Sequence, residues 1–163
     1  MNWAHGHLVL NHIPIFGTLF GFLLLLVAVS RRSEELKKVS LAIFVLVGLL
    51  TVATYLTGEP AEEVVEHLPG VSEAFIEEHE ESALVSLILL EAVALLSVAA
   101  LFSSRKSNCV SQRWALICLL SSLFSLLAIG WTSHLGGQIR HTETRGETTA
   151  TTPDLPWDDE DER

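Results

Sequence analysis

Residues 82–103 read SALVSLILLEAVALLSVAALFS, an apolar run in which Glu91 is the one charged residue. A helix of about 20 residues crosses the roughly 30 Å hydrocarbon core of a bilayer, so this run is long enough to span it. Three more runs have the same character, and they are Asn11–Ser30, Val39–Thr57 and Trp114–Leu135. A single segment in lipid must be helical because only a helix satisfies its own backbone hydrogen bonds. The sequence therefore predicts an all-α, integral membrane four-helix bundle.

This chain of 163 residues is both strongly hydrophobic and strongly charged. The chain is 49% hydrophobic and has a mean hydropathy of +0.41, yet its formal net charge is −10. A soluble bundle needs a polar face on each helix. Four such runs in so short a chain leave no polar surface to cover them, which excludes a soluble domain. The first run is interpreted as a retained helix rather than a signal peptide, because no Lys or Arg precedes it.

The distribution of Lys and Arg predicts how the chain is oriented. Seven of the ten basic residues fall in the loops after the first and third runs, namely Arg31, Arg32, Lys37, Lys38, Arg105, Lys106 and Arg113. The N-terminal segment and residues 58–81 carry none. Loops rich in Lys and Arg stay in the cytoplasm. We therefore expect both chain ends and the middle loop to lie on the non-cytoplasmic side, called here the outer side.

Acidic residues follow the opposite distribution. Nine lie between Glu59 and Glu81, and eight lie in the segment 142–163. A surface of this charge argues against nucleic-acid binding, which needs a basic surface. The acidic, Thr-rich segment 142–163 has no hydrophobic periodicity and is predicted to be disordered, so that residues 1–141 form the membrane domain.

The middle loop is predicted to contain a short interfacial helix. Gly58 can end the second membrane helix, and Pro60 can occupy the first position of a helix spanning Pro60–His67. Pro69-Gly70 is a turn signal. Ser72 is placed to cap a helix that runs without a break into the third membrane helix, which should then project beyond the bilayer.

All seven histidines are predicted to lie on the outer side or at its membrane boundary. They are His5, His7, His12, His67, His79, His134 and His141. In a four-helix bundle with this orientation, the helix ends that carry them converge. Histidine and carboxylate side chains are ligands for transition metals, and bundles build metal sites from facing helices. The alternative is that these are ordinary interfacial histidines and solvated glutamates.

The predicted site combines histidines with nearby carboxylates. Its ligands would be His7, His12, His79 and His141, assisted by Glu59, Glu63, Glu78 and His134. The expected cofactor is a transition-metal ion. The alternative is a b-type haem held by two histidines. The acidic surroundings favour the bare metal because they repel haem propionates and attract divalent cations.

Four residues have more than one interpretation or a purely structural one. If Asn11 caps the first helix, His12 marks the membrane boundary; if the helix starts nearer His5, then His5 and His12 share a face that excludes His7. Glu91 is a functional candidate because a carboxylate within a membrane is costly. Its alternative is a protonated side chain hydrogen-bonded to Ser or Thr. Cys109 and Cys118 are both interpreted as structural.

The segment from Gly6 to Ile15, GHLVLNHIPI, resembles the opening of a bacterial membrane family, the domain-of-unknown-function 2231 type. Members open with His-Pro and then Val-His-Phe-Pro-Ile, with their two histidines five apart as His7 and His12 are. Leu56-Thr57-Gly58, His79, and Gly136-Gly137 followed by His141 extend the similarity; Leu8, Asn11 and Ile13 depart from it. The resemblance implies a four-helix domain in the bacterial inner membrane with outer histidines, and it implies no established activity.

Three functions remain open from the sequence. The first is a cofactor-binding protein for electron transfer or metal handling, and the second is a cofactor-free accessory subunit. Either could associate with other membrane or respiratory subunits. The third is an ion-conducting element centred on Glu91, although one small bundle has little room for a pore. The common motifs of hydrolases, nucleotide-binding proteins and zinc proteases are absent from the sequence, which gives no sign of an enzyme.

Overall fold

The computed structural model describes residues 3–141 and 144–145, and these residues are mostly helical. The helices are α1 (Trp3–Leu10), α2 (His12–Arg31), α3 (Glu34–Leu56), α4 (Gly58–Val65), α5 (Glu73–Ser103) and α6 (Gln112–Arg140). Four stretches are long and apolar enough to cross a membrane, and they are Trp3–Arg31, Glu34–Val65, Glu73–Ser103 and Gln112–Arg140. The predicted all-α fold with four membrane helices is confirmed.

The four long helices form a closed ring. In order around the ring, α2 packs on α3, α3 on α5, α5 on α6, and α6 on α2. The helices α1 and α4 contact each other at one end of the bundle, which is labelled the outer end after the predicted orientation, and the opposite end is labelled the inner end. The centre of the bundle is filled by apolar side chains, among them Leu25, Leu41, Phe44, Val93 and Cys118. This arrangement brings the ends of all four long helices together at each face of the bundle.

Large apolar side chains cover the outside of the ring. Leu49 on α3, Leu95 on α5 and Phe124 on α6 are 67%, 69% and 64% exposed, respectively. In water such a surface would be an extensive apolar patch, whereas in a bilayer it contacts hydrocarbon. The chain is therefore a multi-pass membrane protein.

Two close approaches between helices depend on small residues. A Cβ atom added to Gly21 on α2 would lie 2.7 Å from Cε1 of Phe44 on α3. One added to Gly48 on α3 would lie 2.6 Å from Cβ of Ala94 on α5. Small residues at membrane-helix contacts allow the backbones to come this close.

The first helical segment begins earlier than the apolar pattern predicted. It starts at Trp3; Asn11 directly precedes α2, but its side chain makes no capping hydrogen bond. Pro14 has no N–H to donate to the carbonyl oxygen of Leu10, which separates α1 from α2. The Thr54 hydroxyl lies 3.4 Å from that oxygen, while its closer acceptor is the Leu50 carbonyl oxygen at 2.9 Å.

The outer segment between α3 and α5 differs from its prediction in detail. The short helix α4 spans Gly58–Val65 rather than Pro60–His67. Ser72 precedes α5 as predicted, but its side chain makes no capping hydrogen bond. The uninterrupted helix α5 is confirmed. Its 31 residues extend roughly 46 Å, well beyond the hydrocarbon core.

The inner end of the bundle is closed by a buried lysine. Lys37 Nζ donates to Glu34 Oε1 over 2.8 Å and to the Val110 carbonyl oxygen over 3.2 Å. Glu34 Oε2 accepts from the Val110 N–H over 2.7 Å. Lys38 Nζ donates to Asn108 Oδ1 in the same loop. These contacts fasten the loop between α5 and α6 to the start of α3.

The C-terminal segment is described only at Thr144 and Arg145. Arg145 donates to the carbonyl oxygens of Gln138 and Ile139 at the end of α6, each over 2.8 Å, and to that of Gly70 over 3.1 Å. Its guanidinium group lies 4.5 Å from the centre of the Phe75 ring. The predicted disorder of the rest of the segment 142–163 lies outside the described residues.

Candidate functional site at the outer end

His7 is held by the junction between α3 and α4. Its Nδ1 atom lies 3.0 Å from Thr57 Oγ1. The Thr57 hydroxyl donates its single proton to the Thr54 carbonyl oxygen over 2.7 Å. The Thr57 oxygen must therefore accept from His7, since a hydroxyl has one proton to give. This assigns the His7 proton to Nδ1 and leaves Nε2 with its lone pair.

His79 is held in the same way by α6. Its Nδ1 atom lies 3.0 Å from the carbonyl oxygen of Thr132. A carbonyl only accepts, so Nδ1 carries the proton and Nε2 has a lone pair here as well. The ring lies against Gly136, where an added Cβ would be 3.0 Å from Cε1 of His79. The Thr132 hydroxyl also contacts Ser82 and Ser86, at 2.7 and 2.9 Å.

The two imidazoles form a pair, which we call the His7–His79 pair. Both rings are partly buried, and they are close enough to interact electrostatically. The hydrogen bonds described for both rings go through Nδ1, and the Thr54 backbone carbonyl also lies within hydrogen-bonding reach of His7. Metal-binding histidines commonly donate one ring N–H to an oxygen, which fixes the tautomer and aims the other nitrogen. The pair has this arrangement on both sides.

His12 and His134 point away from the pair. The exposed His12 donates from Nδ1 to the Leu8 carbonyl oxygen over 2.8 Å, and its ring stacks on Phe16 with 6.2 Å between ring centres. The exposed His134 contacts Gln138 and packs at an angle against Trp131. The second interpretation of the first helix is thus the better one, since His12 lies on a different face from His7.

The remaining predicted ligands lie on the exposed surface. They are His141, which follows the last residue of α6, and Glu59, Glu63 and Glu78. Across residues 3–141 and 144–145, no group of three or more His, Cys, Asp or Glu side chains is arranged to hold a metal ion. The described part of the outer end therefore contains no complete cage of protein ligands for a metal ion.

Glu91 lies at the contact between α3 and α5. Its two carboxyl oxygens are 3.4 and 3.5 Å from the position of a Cβ added to Gly48. Oε1 is buried and has no hydrogen-bond partner among the described residues. The expected bond to a neighbouring Ser or Thr is therefore not found there for Oε1. Glu91 is separate from the His7–His79 pair, being three helical turns further along α5 than His79.

Thr57 and Thr132 are the residues that sequence reasoning missed as part of the site. Thr57 stands in the Leu56-Thr57-Gly58 segment, where it was noted only as part of a resemblance. Thr132 gave one usable signal, because it is four residues before Gly136 and so shares its helix face. A hydroxyl and a glycine on one face of a membrane helix indicate a close contact; here the hydroxyl contacts Ser82 and Ser86 of α5, and the glycine leaves room for the His79 ring.

Comparisons of the chain with protein-family models, curated proteins and solved structures find no match. The resemblance to the domain-of-unknown-function 2231 type accordingly stays a prediction.

Proposed function

We propose that this membrane protein binds a transition-metal ion through Nε2 of His7 and Nε2 of His79, as an electron-transfer or metal-handling component of the bacterial inner membrane. The observation that supports this most is the shared tautomer of the pair. His7 donates from Nδ1 to Thr57 Oγ1, and His79 donates from Nδ1 to the Thr132 carbonyl oxygen. Each ring then has a lone pair at Nε2. Neutral imidazole nitrogen is a good ligand for Cu, Zn, Ni and Fe.

The charge around the pair also favours a cation. Nine glutamates lie in the outer segment, namely Glu59, Glu62, Glu63, Glu66, Glu73, Glu77, Glu78, Glu80 and Glu81. The outer part of the described chain carries two basic residues of the Lys/Arg type, Arg140 and Arg145. Such a surface raises the local concentration of divalent ions. Water or a partner's ligand would complete the coordination of an ion held by two histidines.

A b-type haem is the alternative cofactor, with His7 and His79 as its two axial ligands from different helices. Haem propionates are stabilised by cations. Arg145 already donates to three carbonyl oxygens and stacks on Phe75, which leaves Arg140 as the nearest arginine in sequence. The electrostatics therefore support the bare metal ion over haem.

A cofactor-free accessory subunit is the second candidate function, and the same hydrogen bonds support it. His7 ties α1 to the α3–α4 junction, and His79 ties α5 to α6. In this case both histidines would serve the fold alone. The two functions differ in what Nε2 does, so they can be separated by a substitution that removes Nε2 and keeps the Nδ1–H donor.

Asparagine is that substitution, because its amide N–H groups occupy about the position of the histidine Nδ1–H. We expect wild-type protein in detergent to bind about one equivalent of Cu²⁺ or Zn²⁺ in equilibrium dialysis. His7→Asn and His79→Asn should each weaken this binding by at least about a hundredfold, because loss of a residue that only orients a ligand already costs about 10- to 100-fold and loss of the ligand itself costs more. Their thermal unfolding should stay close to that of the wild type.

His12→Asn is the matched control, since His12 is exposed and lies on another face of the same segment. It should bind metal like the wild type. Absorbance of the protein as isolated tests the haem alternative, which requires a Soret band that both pair variants lose. Wild-type protein that binds neither metal nor haem would favour the accessory subunit.

We also propose that the His7–His79 pair faces the periplasmic or extracellular side, as the charge distribution of the loops predicts. Cysteine labelling can test this orientation, because Cys109 is exposed in the loop between α5 and α6 while Cys118 is buried in α6. A membrane-impermeant maleimide should label Cys109 in inverted membrane vesicles and not in intact cells. A Cys109→Ser, Leu68→Cys variant should show the reverse, and labelling of Cys109 in intact cells would refute the orientation.

A further inference from the structure

A groove between α5 and α6 opens on the outside of the bundle near its outer end. It has a volume of about 510 Å³, and its lining includes Glu78, Glu81, Val85, Ala128 and Trp131. Glu78 and Glu81 are one helical turn apart on α5 and form one rim. Trp131 on α6 forms the facing wall and is 59% exposed.

The groove changes from charged to apolar along its length. Glu81 directly precedes the apolar run that begins at Ser82, whereas Val85 lies four residues further along α5, about 6 Å deeper at 1.5 Å per residue. On α6, Ala128 comes three residues before Trp131 and lies about 4.5 Å deeper than Trp131. The groove thus extends from the level of the lipid headgroups into the hydrocarbon core.

The charged end of the groove has the chemistry of an ammonium site. Glu78 and Glu81 are exposed and have no ion-pair partner among the described residues. A cation between them would also lie beside the Trp131 indole, and indole is the aromatic group that attracts cations most strongly. An anionic phosphate without an ammonium group would be repelled by the same carboxylates.

We propose that this groove binds an aminophospholipid of the phosphatidylethanolamine type. Its ammonium group contacts Glu78, Glu81 and the face of Trp131, and an acyl chain lies along Val85 and Ala128. A lipid fits better than a water-soluble amine because the deeper part of the groove is apolar and opens to the hydrocarbon. The lipid site does not depend on metal binding by the His7–His79 pair.

Native mass spectrometry of the full chain, after detergent exchange and addition of defined lipids, tests the proposal. We expect phosphatidylethanolamine to be retained several-fold more than phosphatidylglycerol with the same acyl chains. The double variant Glu78→Gln, Glu81→Gln should reduce that retention roughly tenfold, as expected for two partly exposed charge contacts. Trp131→Leu keeps an apolar wall and should reduce it by about fivefold.

Glu77→Gln is the matched control, because Glu77 is an exposed glutamate of the same helix that does not line the groove. It should retain phosphatidylethanolamine like the wild type. Equal retention of both lipids by the wild type, or no effect of the double variant, would overturn the proposal. Competition by soluble glycerophosphoethanolamine as strong as that by the lipid would also overturn it, because the site would then recognise a free amine.

Discussion

The two ends of the bundle differ in how their polar side chains are hydrogen-bonded. At the inner end, Lys37 is 3% exposed, and its ammonium group is bonded to Glu34 and to the Val110 carbonyl oxygen. At the outer end, His7 and His79 are each held through Nδ1, so the neutral ring carries its lone pair at Nε2. The buried ammonium group at the inner end is therefore bonded within the chain, whereas each imidazole at the outer end keeps a nitrogen that can act as a ligand.

This difference indicates where the protein can exchange something with its surroundings. A buried group whose bonds are all made within the chain contributes to the fold and has nothing to offer a ligand. An oriented imidazole with a free lone pair remains able to bind. Substitutions at the inner end should therefore act on stability, and those at the outer end should act on binding.

The largest effect on stability is expected for Lys37→Met. Methionine fills similar space but leaves Glu34 and the Val110 carbonyl oxygen without their shared donor. Removing one partner of a fully buried ion pair costs about 3 kcal/mol or more, but the Glu34 side chain is 33% exposed, so the cost here is about 2 kcal/mol. The free energy of unfolding, measured by titrating detergent-solubilised protein with sodium dodecyl sulfate, should fall by about this amount.

Lys38→Met is the matched control at the neighbouring position. Lys38 bonds to Asn108 in an exposed contact, so its loss should cost less than about 1 kcal/mol. Metal binding should be unchanged in both variants while they remain folded. Equal stability of the two variants would mean that the inner end is not held by Lys37.

An intermediate effect is expected for Gly136→Ala at the outer end. The added methyl group would lie 3.0 Å from Cε1 and 3.2 Å from Nδ1 of His79, so the ring must move and its bond to the Thr132 carbonyl oxygen must lengthen. Disturbing such an orienting bond lowers metal affinity by about 10- to 100-fold. Equilibrium dialysis with Cu²⁺ or Zn²⁺ measures this loss.

Gly137→Ala provides the control within the same helix. A Cβ at Gly137 has nothing within 4 Å, so this variant should bind metal normally and gain slightly in helix stability. If Gly136→Ala also binds metal normally, the contact between Gly136 and His79 does not support the site.

Sequence reasoning recovered the membrane fold more completely than the site. Lipid imposes a length and a composition on each helix, and the four apolar runs show both directly. The site depends on which face of each helix points toward the other helices. In a uniformly apolar segment, composition does not show that face. His7 and His12 are five residues apart and could not be assigned to one face without knowing that the helix begins at Trp3. Thr132 likewise contributes a backbone carbonyl, which any residue type would carry.

The smallest effect on stability is expected at the outer end, where two carboxylates lie close together. The side chains of Glu62 on α4 and Glu80 on α5 approach each other closely enough to share a hydrogen bond. Exposed like-charge contacts of this kind cost up to about 0.5 kcal/mol. Glu62→Gln removes the repulsion and supplies an N–H donor for the Glu80 carboxylate, so the free energy of unfolding should rise by about this amount in low salt.

Glu63→Gln removes the same charge from the next position of α4, where the side chain is exposed. It should change stability less than Glu62→Gln does. The difference between the two variants should shrink in about 1 M salt, where the Debye length is about 3 Å. If Glu62→Gln is instead destabilising, a cation between Glu62 and Glu80 must hold α4 against α5, and adding Mg²⁺ should then stabilise the wild type but not the variant. That result would extend the binding capacity of the outer end from the imidazole pair to its carboxylates.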